Sequence, residues 1–521
     1  MTAPHHSRPS PTTFARRAGA PLVALILAGT GLVGCAGADP QPDASSANSN
    51  PAAGSPDPIY GQTVEWSDCG QGGPANAQCG EIEAPLDWDD PTGDSITLAL
   101  ARVQTANSKS RLGSLVFNPG GPGASGIEFL ASLPTVIPAT VQAAYDLVSF
   151  DPRGVGRSTP VDCLDDLQMD EYFAASFPHD EAGLAAASEA AANFGLAYAE
   201  RTGELLGFVD TGSAARDLDL IRALLGDERL NYVGYSYGSL LGVAYAELFP
   251  ERVGRLVLDS AADPAKSADE LSLEQAAAFD RSLAVFAAAC AATSDCPLGD
   301  DADQILADVV TLLKNLLEQP LALNDGRYLT QQMALSGIIG ALYSDANWMA
   351  LGAGLYTAAG GKGEILSQLN DAYLGRDPAS GHYSNLHEAI PAITCLNEAL
   401  RDNDPSVVAA QYEALRQAAP VLGQFSSRPS QCANWPVPAR STPHAASAPG
   451  AAAILVIGAT GDPATPYAQA VALAEQLESG VLLTYEGERH TVYGLAGSQC
   501  VDDAVNAFLI DGAVPAEGTR C

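Results

Sequence analysis

The chain has 521 residues, 47% of them hydrophobic, enough to build one large domain with an insertion or two domains. Its formal net charge of −36 sets nucleic acid aside as a partner, because phosphates would be repelled by so acidic a surface. The same surface suits a soluble secreted protein.

The N-terminus carries an export signature. Arg8, Arg16 and Arg17 precede an apolar stretch, Ala20 to Gly31, that is short for a membrane span. It runs into Leu32-Val33-Gly34-Cys35, which has the form of a bacterial lipobox. Residues 1–34 are therefore expected to be a lipoprotein signal peptide, with cleavage leaving a lipidated Cys35. Ala36 to Pro58, rich in Ala, Ser, Asn, Pro and Asp, reads as a disordered tether, so that residues 35–58 link a membrane anchor to the folded enzyme. An ordinary secretory signal with a coincidental cysteine is the alternative, and either reading takes the protein out of the cytoplasm.

The folded part is expected to begin near Tyr60, with early strands around residues 80–82 and 96–103. Leu112 to Phe117 then forms a buried strand running into Asn118-Pro-Gly-Gly-Pro-Gly123. Glycines at 120 and 121 let a backbone turn present its amides inward with no Cβ in the way. A further strand, Tyr145 to Phe150, runs into Asp151-Pro-Arg-Gly-Val-Gly-Arg-Ser158, a turn expected to buttress the site through Arg153 and Arg157. Thr211 to Leu225 has helical periodicity, with Leu218, Ile221, Leu224 and Leu225 inward and Asp217 and Asp219 outward.

Next comes Gly234-Tyr-Ser-Tyr-Gly238. An apolar run precedes it and helix-forming residues follow to Phe249. Strand, tight turn and helix in that order are what a nucleophile elbow requires, with Ser236 raised on the turn. Val253 to Leu258 reads as the next strand and ends at Asp259. From about Pro264 to Arg440 strand patterns vanish and Ala- and Leu-rich helical segments take over, as in residues 271–290, 305–317 and 330–343. Residues 59–264 are read as the first part of the core and 265–449 as a helical cap between the sixth and seventh strands. Residues 450–521 are the returning core.

In that last part, Ala453 to Gly458 is a buried strand that opens into Ala459-Thr-Gly-Asp-Pro-Ala-Thr-Pro466, placing Asp462 at a strand end in a turn enforced by glycine and proline. Gly480 to Tyr485 is another short strand, and His490 stands in the loop that leaves it. A serine hydroxyl needs a base, and the base needs an orienting group. Of the seven histidines, His5 and His6 fall in the signal segment. His179, His382, His387 and His444 lie away from strand ends. His490 remains. Asp462 is the expected acid, with Asp259 as its competitor. The order Ser236, Asp462, His490 is that of an α/β-hydrolase. One oxyanion donor is expected from the Gly120-Gly121 loop and the other from the Tyr237 amide. Together these features predict a serine hydrolase of α/β class, with a mostly parallel central sheet. Neither metal nor cofactor is required.

Besides Cys35, nine cysteines remain. In an exported setting the expected pairs are Cys69–Cys79, Cys290–Cys296, Cys500–Cys521 and Cys395–Cys432, leaving Cys163 as the odd thiol.

The chain resembles exported α/β-hydrolases of the tripeptidyl aminopeptidase type, relatives of the prolyl iminopeptidases, a group that includes mycobacterial envelope lipoproteins with serine protease or carboxylesterase activity. The resemblance rests on Asn118–Gly123, Asp151–Gly154, Gly234–Gly238, Gly461–Pro466 and Arg489-His490, and it spans about residues 60 to 521. Prolyl iminopeptidases usually show His-Gly-Gly-Pro-Gly and a tryptophan after the serine. Here Asn118-Pro119 and Tyr237 stand in those places, which favours the tripeptidyl branch. The resemblance implies removal of short peptides from a free N-terminus through an acyl-enzyme. A buried carboxylate in the cap would hold the substrate ammonium, because an unpaired buried charge is costly. Glu398 is the candidate for that carboxylate, against an ordinary surface role. An envelope carboxylesterase using the same triad and a non-enzymatic binding lipoprotein are the other readings. An intact triad and glycine loop count against the latter.

Overall fold

The computed structural model describes residues 58–521 except 71–72, 75, 399–403, 427–430 and 433–434. The expected signal segment, Cys35 and the expected tether up to residue 57 lie outside the described residues. Among the described residues no helix is long and apolar enough to cross a membrane.

The scaffold is a nine-stranded sheet. Apart from a two-residue edge strand, Ser67–Asp68, its strands are β1 (Gln78–Pro85), β2 (Ser95–Val103), β3 (Gly113–Asn118), β4 (Tyr145–Phe150), β5 (Leu230–Tyr235), β6 (Val253–Asp259), β7 (Ile454–Ala459) and β8 (Gly480–Tyr485). Their spatial order is β1-β2-β4-β3-β5-β6-β7-β8. β2 runs antiparallel to both β1 and β4, and every other pair of numbered strands is parallel. β3, β4 and β7 are buried along their whole length, with apolar centres at Leu115–Phe117, Leu147-Val148 and Ile454–Ile457. Alternate residues feed two cores. Val116, Val148, Tyr232, Leu256 and Val456 face one side, and Leu115, Leu147, Val233, Val257 and Leu455 face the other.

Parallel strands all point their carboxyl ends the same way, so the loops after β3, β4, β5, β6, β7 and β8 share one edge. An α/β sheet binds its ligands at that edge. The chain between β6 and β7 is largely helical, with Ala268–Ala291, Ala302–Glu318, Gln331–Leu342, Leu386–Thr394 and Pro405–Ala418 among its helices.

Three features depart from the sequence reading. A second helical excursion, Asp166–Ala174 and Glu181–Arg201, leaves after β4 and packs against the later helical layer. Phe173 meets His387 at 5.3 Å between ring centroids and Tyr198 meets Trp435 at 4.9 Å. Asp217 and Asp219 are not outward but fully buried. Their helix, Thr211–Leu224, is covered on more than one side, and arginines neutralise both carboxylates: Arg153 clasps Asp217 with two contacts of 2.7 Å, and Arg222 and Arg252 pair with Asp219. Finally, Arg153 does not support the site. Its guanidinium is spent on Asp217 and on the carbonyls of Pro85, Leu86 and Phe208.

All four expected disulfides are formed, Cys69–Cys79, Cys290–Cys296, Cys395–Cys432 and Cys500–Cys521, and Cys163 is free and buried.

Candidate active site

β5 ends in Tyr235, and the helix Tyr237–Leu248 starts two residues later. Ser236 between them has φ 56° and ψ −123°, a conformation that a non-glycine residue adopts only under strain. The turn exists because its flanks are glycines. A Cβ on Gly234 would lie 2.2 Å from the Gly238 carbonyl, and one on Gly238 would lie 2.9 Å from the Asn118 carbonyl. The serine side chain is thereby lifted to the carboxyl edge of the sheet.

The loop after β3 lies directly on this elbow. Gly120, at φ +94°, is so close that a Cβ would stand 2.4 Å from the Tyr235 carbonyl and 3.0 Å from the Ser236 Cβ. The Gly120 amide donates to Asn118 Oδ1 at 2.9 Å, which commits it to shaping the loop. Of the two expected glycines, Gly121 is thus the one whose amide is left for an oxyanion, together with the amide of Tyr237 at the helix N-terminus. Among the described residues neither of these amides has a hydrogen-bond acceptor. The loop's true buttress is Asp151. Its buried carboxylate accepts from Ser125 Oγ (2.7 Å), the Ile127 amide (3.1 Å) and the Arg157 amide (2.8 Å). Burial pushes this carboxyl above the usual range, against the pull of those donors. Arg157 contributes here through its backbone.

β7 and β8 supply the remaining pair. His490 Nδ1 lies 2.9 Å from both oxygens of Asp462, and both side chains are sealed from solvent. Asp462 is itself oriented by the amides of Ala464 and Thr465, each at 2.9 Å. The Thr465 hydroxyl lies 3.1 Å from Asp462 Oδ2, 3.3 Å from His490 Nδ1 and 2.9 Å from the Ser260 carbonyl. With Nδ1 held by a carboxylate, the other ring nitrogen, Nε2, is the one free to exchange a proton. Nε2 and Ser236 Oγ are both buried, and neither has a hydrogen-bond partner among the described residues.

Asp259 has a different task. It accepts the amides of Val492 (3.1 and 3.2 Å) and Tyr493 (2.7 Å), and the neighbouring Ser260 hydroxyl accepts the Thr491 amide at 2.7 Å. It therefore anchors the loop that carries the histidine and leaves the ring to Asp462. Burial pushes its carboxyl up to about 6, partly opposed by those amides and by the nearby His490.

Beside Gly121, Tyr237 and Thr465 opens a cavity of about 440 Å³. Leu240, Val243, Leu248, Leu271 and Ile390 give it apolar walls, while Arg216, Glu247, Asp263, Lys266, Glu398 and His444 bring charge. Glu398, chosen from sequence, thus lies on the wall of the same cavity as Gly121 and Tyr237. Sequence reading missed Asp263, a carboxylate 5% exposed that follows β6. Its Oδ1 accepts the Ala265 amide and the Gln476 side chain at 3.0 and 2.7 Å. Its only signal was its place four residues past a strand end. Among the described residues no group of three His, Cys, Asp or Glu side chains is placed to hold a metal ion.

Two family models match. The alpha/beta hydrolase fold covers residues 113–335, which hold the glycine loop and Ser236, and the TAP-like protein model covers residues 419–521, which hold Asp462 and His490. The chain is 39% identical over 484 residues to the serine protease Hip1 of Mycobacterium tuberculosis, covering 89% of this chain and 92% of that protein. It is also 39% identical over 497 residues to carboxylesterase B of Mycobacterium tuberculosis, covering 92% and 94%. To the tripeptidyl aminopeptidase of Streptomyces coelicolor it is 30% identical over 474 residues, covering 88% and 86%. The chain therefore belongs to the tripeptidyl aminopeptidase-like family of α/β-hydrolases and is a serine hydrolase.

Proposed function

We propose that the protein is an exported serine exopeptidase that releases short peptides, tripeptides foremost, from free N-termini. The observation that carries this reading is the charged cavity beside Gly121 and Tyr237, whose wall carries the carboxylates Glu398 and Asp263. Serine protease Hip1 and the tripeptidyl aminopeptidase are relatives whose names fit it.

In the reaction, His490 Nε2 takes the proton of Ser236 Oγ as the oxygen attacks the scissile carbonyl. Asp462 holds Nδ1 and stabilises the imidazolium. The carbonyl oxygen, now negative, is received by the amides of Gly121 and Tyr237, and each such donor contributes roughly 10²–10³ in turnover. His490 then passes its proton to the leaving amine, and water, activated by the same nitrogen, releases the acyl group. Glu398 and Asp263 are the carboxylates proposed to meet the substrate ammonium. Export and anchoring are part of the proposal, with Cys35 as the lipidated residue. A diacylglyceryl group on Cys35, read by mass spectrometry of the membrane fraction, is the expected result, and an unmodified N-terminus at another residue would refute the anchor.

A second reading, an envelope carboxylesterase, is favoured by the apolar walls of the cavity and by the equal identity to carboxylesterase B. Hydrolysis of a free-amino tripeptidyl anilide, its N-acetylated twin and a short-chain nitrophenyl ester separates the two. Cleavage of the free peptide but not its acetylated twin is expected. Cleavage of the ester alone would make the protein an esterase.

A further inference from the structure

The cap reaches the loop that carries His490 at Tyr343. The helix Gln331–Leu342 ends at Tyr343, whose carbonyl accepts the His490 amide at 2.8 Å, satisfying one of the acceptors that a helix end leaves open. Ser344 and Arg489 form an isolated antiparallel bridge beside this bond, so the contact is a two-residue splice between cap and loop. The Tyr343 ring meets the imidazole itself, at 5.5 Å between centroids and 84° between planes. Tyr343 is 6% exposed. Its other sides are filled by Phe279 at 5.4 Å and Tyr373 at 6.0 Å, and its hydroxyl is hydrogen-bonded to that of Tyr373.

These contacts leave His490 held from three directions. Asp462 fixes the ring nitrogen, Asp259 and Ser260 fix the backbone after the histidine, and Tyr343 fixes the backbone and one flank of the ring. The first two supports come from the sheet edge, the third from a helix end 147 residues before His490 in the chain. Asp462 alone fixes one end of the ring and leaves the imidazole free to swing about Cβ. An edge-to-face neighbour removes that freedom at little entropic cost, because the tyrosine is itself wedged between two aromatic rings.

We propose that Tyr343 is a positioning residue for the general base: through its carbonyl and its ring the cap sets the place of the His490 imidazole relative to Ser236. The inference rests on the reading of His490 as the base. It makes the cap part of the machinery that assembles the triad, in addition to forming the cavity wall.

The test uses the full chain and a short-chain nitrophenyl ester, a probe that needs the triad and makes little use of the cavity. Tyr343→Leu keeps apolar volume but loses the ring, and Tyr343→Phe keeps the ring but loses the hydroxyl. Displacing a base by about 1 Å is expected to cost about 10²-fold in rate, so Tyr343→Leu should lower kcat by that order with KM little changed. Tyr343→Phe should recover most of the lost kcat. Melting curves, with rates expressed per folded molecule, remove any contribution from misfolding. Wild-type kcat in Tyr343→Leu, a rise confined to KM, or equal losses in Leu and Phe would each overturn the proposal. His490→Ala, run alongside, separates the two levels. An active His490→Ala would remove the base assignment itself, whereas an inactive His490→Ala beside an unimpaired Tyr343→Leu would remove the role of Tyr343 alone.

Discussion

Asp259 and Asp462 leave the carboxyl ends of adjacent parallel strands, β6 and β7, and only Asp462 reaches the imidazole of His490. Asp259 pairs in register with Ile457, five residues before Asp462, and spends its oxygens on the amides of Val492 and Tyr493. Two acids at one sheet edge thus divide the work, one orienting the ring and the other the loop.

That division predicts unequal amide variants. Asp462→Asn keeps the shape but removes the charge that holds the correct tautomer, and should cost about 10⁴-fold in kcat. Asp259→Asn keeps an acceptor for the loop amides and should leave kcat close to wild type. Steady-state kinetics on one substrate decides the matter. A severe Asp259→Asn beside a mild Asp462→Asn would exchange the two roles.

The buried Asp259 also gives stability a pH slope. Its carboxyl, raised from 3.8 to about 6, binds its proton more tightly in the folded than in the unfolded chain. The stabilisation is therefore fully present below the unfolded value and is lost as pH rises through about 6. Melting temperatures followed across that window should show this component falling in wild type and absent in Asp259→Asn. Identical slopes in the two proteins would contradict the assignment.

Gly120 is predicted to be intolerant of any side chain. A Cβ there would meet backbone atoms, the Tyr235 carbonyl at 2.4 Å, and φ is +94°. Gly120→Ala must push the loop off the elbow and carry the Gly121 amide away, so kcat should fall by at least the roughly 10²–10³ of one oxyanion donor. Near-wild-type turnover in a folded Gly120→Ala enzyme would show that this loop does not serve the oxyanion.

The Arg153–Asp217 pair is predicted to be structural. Both side chains are fully shielded, and removing one partner of such a pair typically costs about 3–5 kcal/mol. Asp217→Ala should lose that order of stability in urea unfolding, while kcat per folded molecule stays near wild type. A loss of kcat without a loss of stability would place the pair in catalysis after all.

Much of the site was legible in sequence because its parts are local. Ser236, Asp462 and His490 each sit within a few residues of a strand end, and glycines or prolines mark the turns. The disulfides were legible for the same reason, since three of the four join cysteines at most 21 residues apart. What was missed is non-local. The outward placement of Asp217 and Asp219 followed from helical periodicity, but Arg153 lies 64 residues away from the acid it neutralises. The helices Asp166–Ala174 and Glu181–Arg201 earn their place by packing on chain more than 200 residues later, as where Arg376 bonds Asp170. Asp151, rather than the arginines two and six residues after it, proved to be the buttress, because its carboxylate accepts donors from the chain after the glycine loop and from its own turn, while Arg153 is turned to Asp217.

The triad is tested most directly by labelling with a fluorophosphonate probe followed by peptide mapping, with Ser236→Ala in parallel. One adduct on Ser236 is expected in the wild-type protein and none in Ser236→Ala. An adduct on another serine, or one that persists in Ser236→Ala, would contradict the triad and everything built on it.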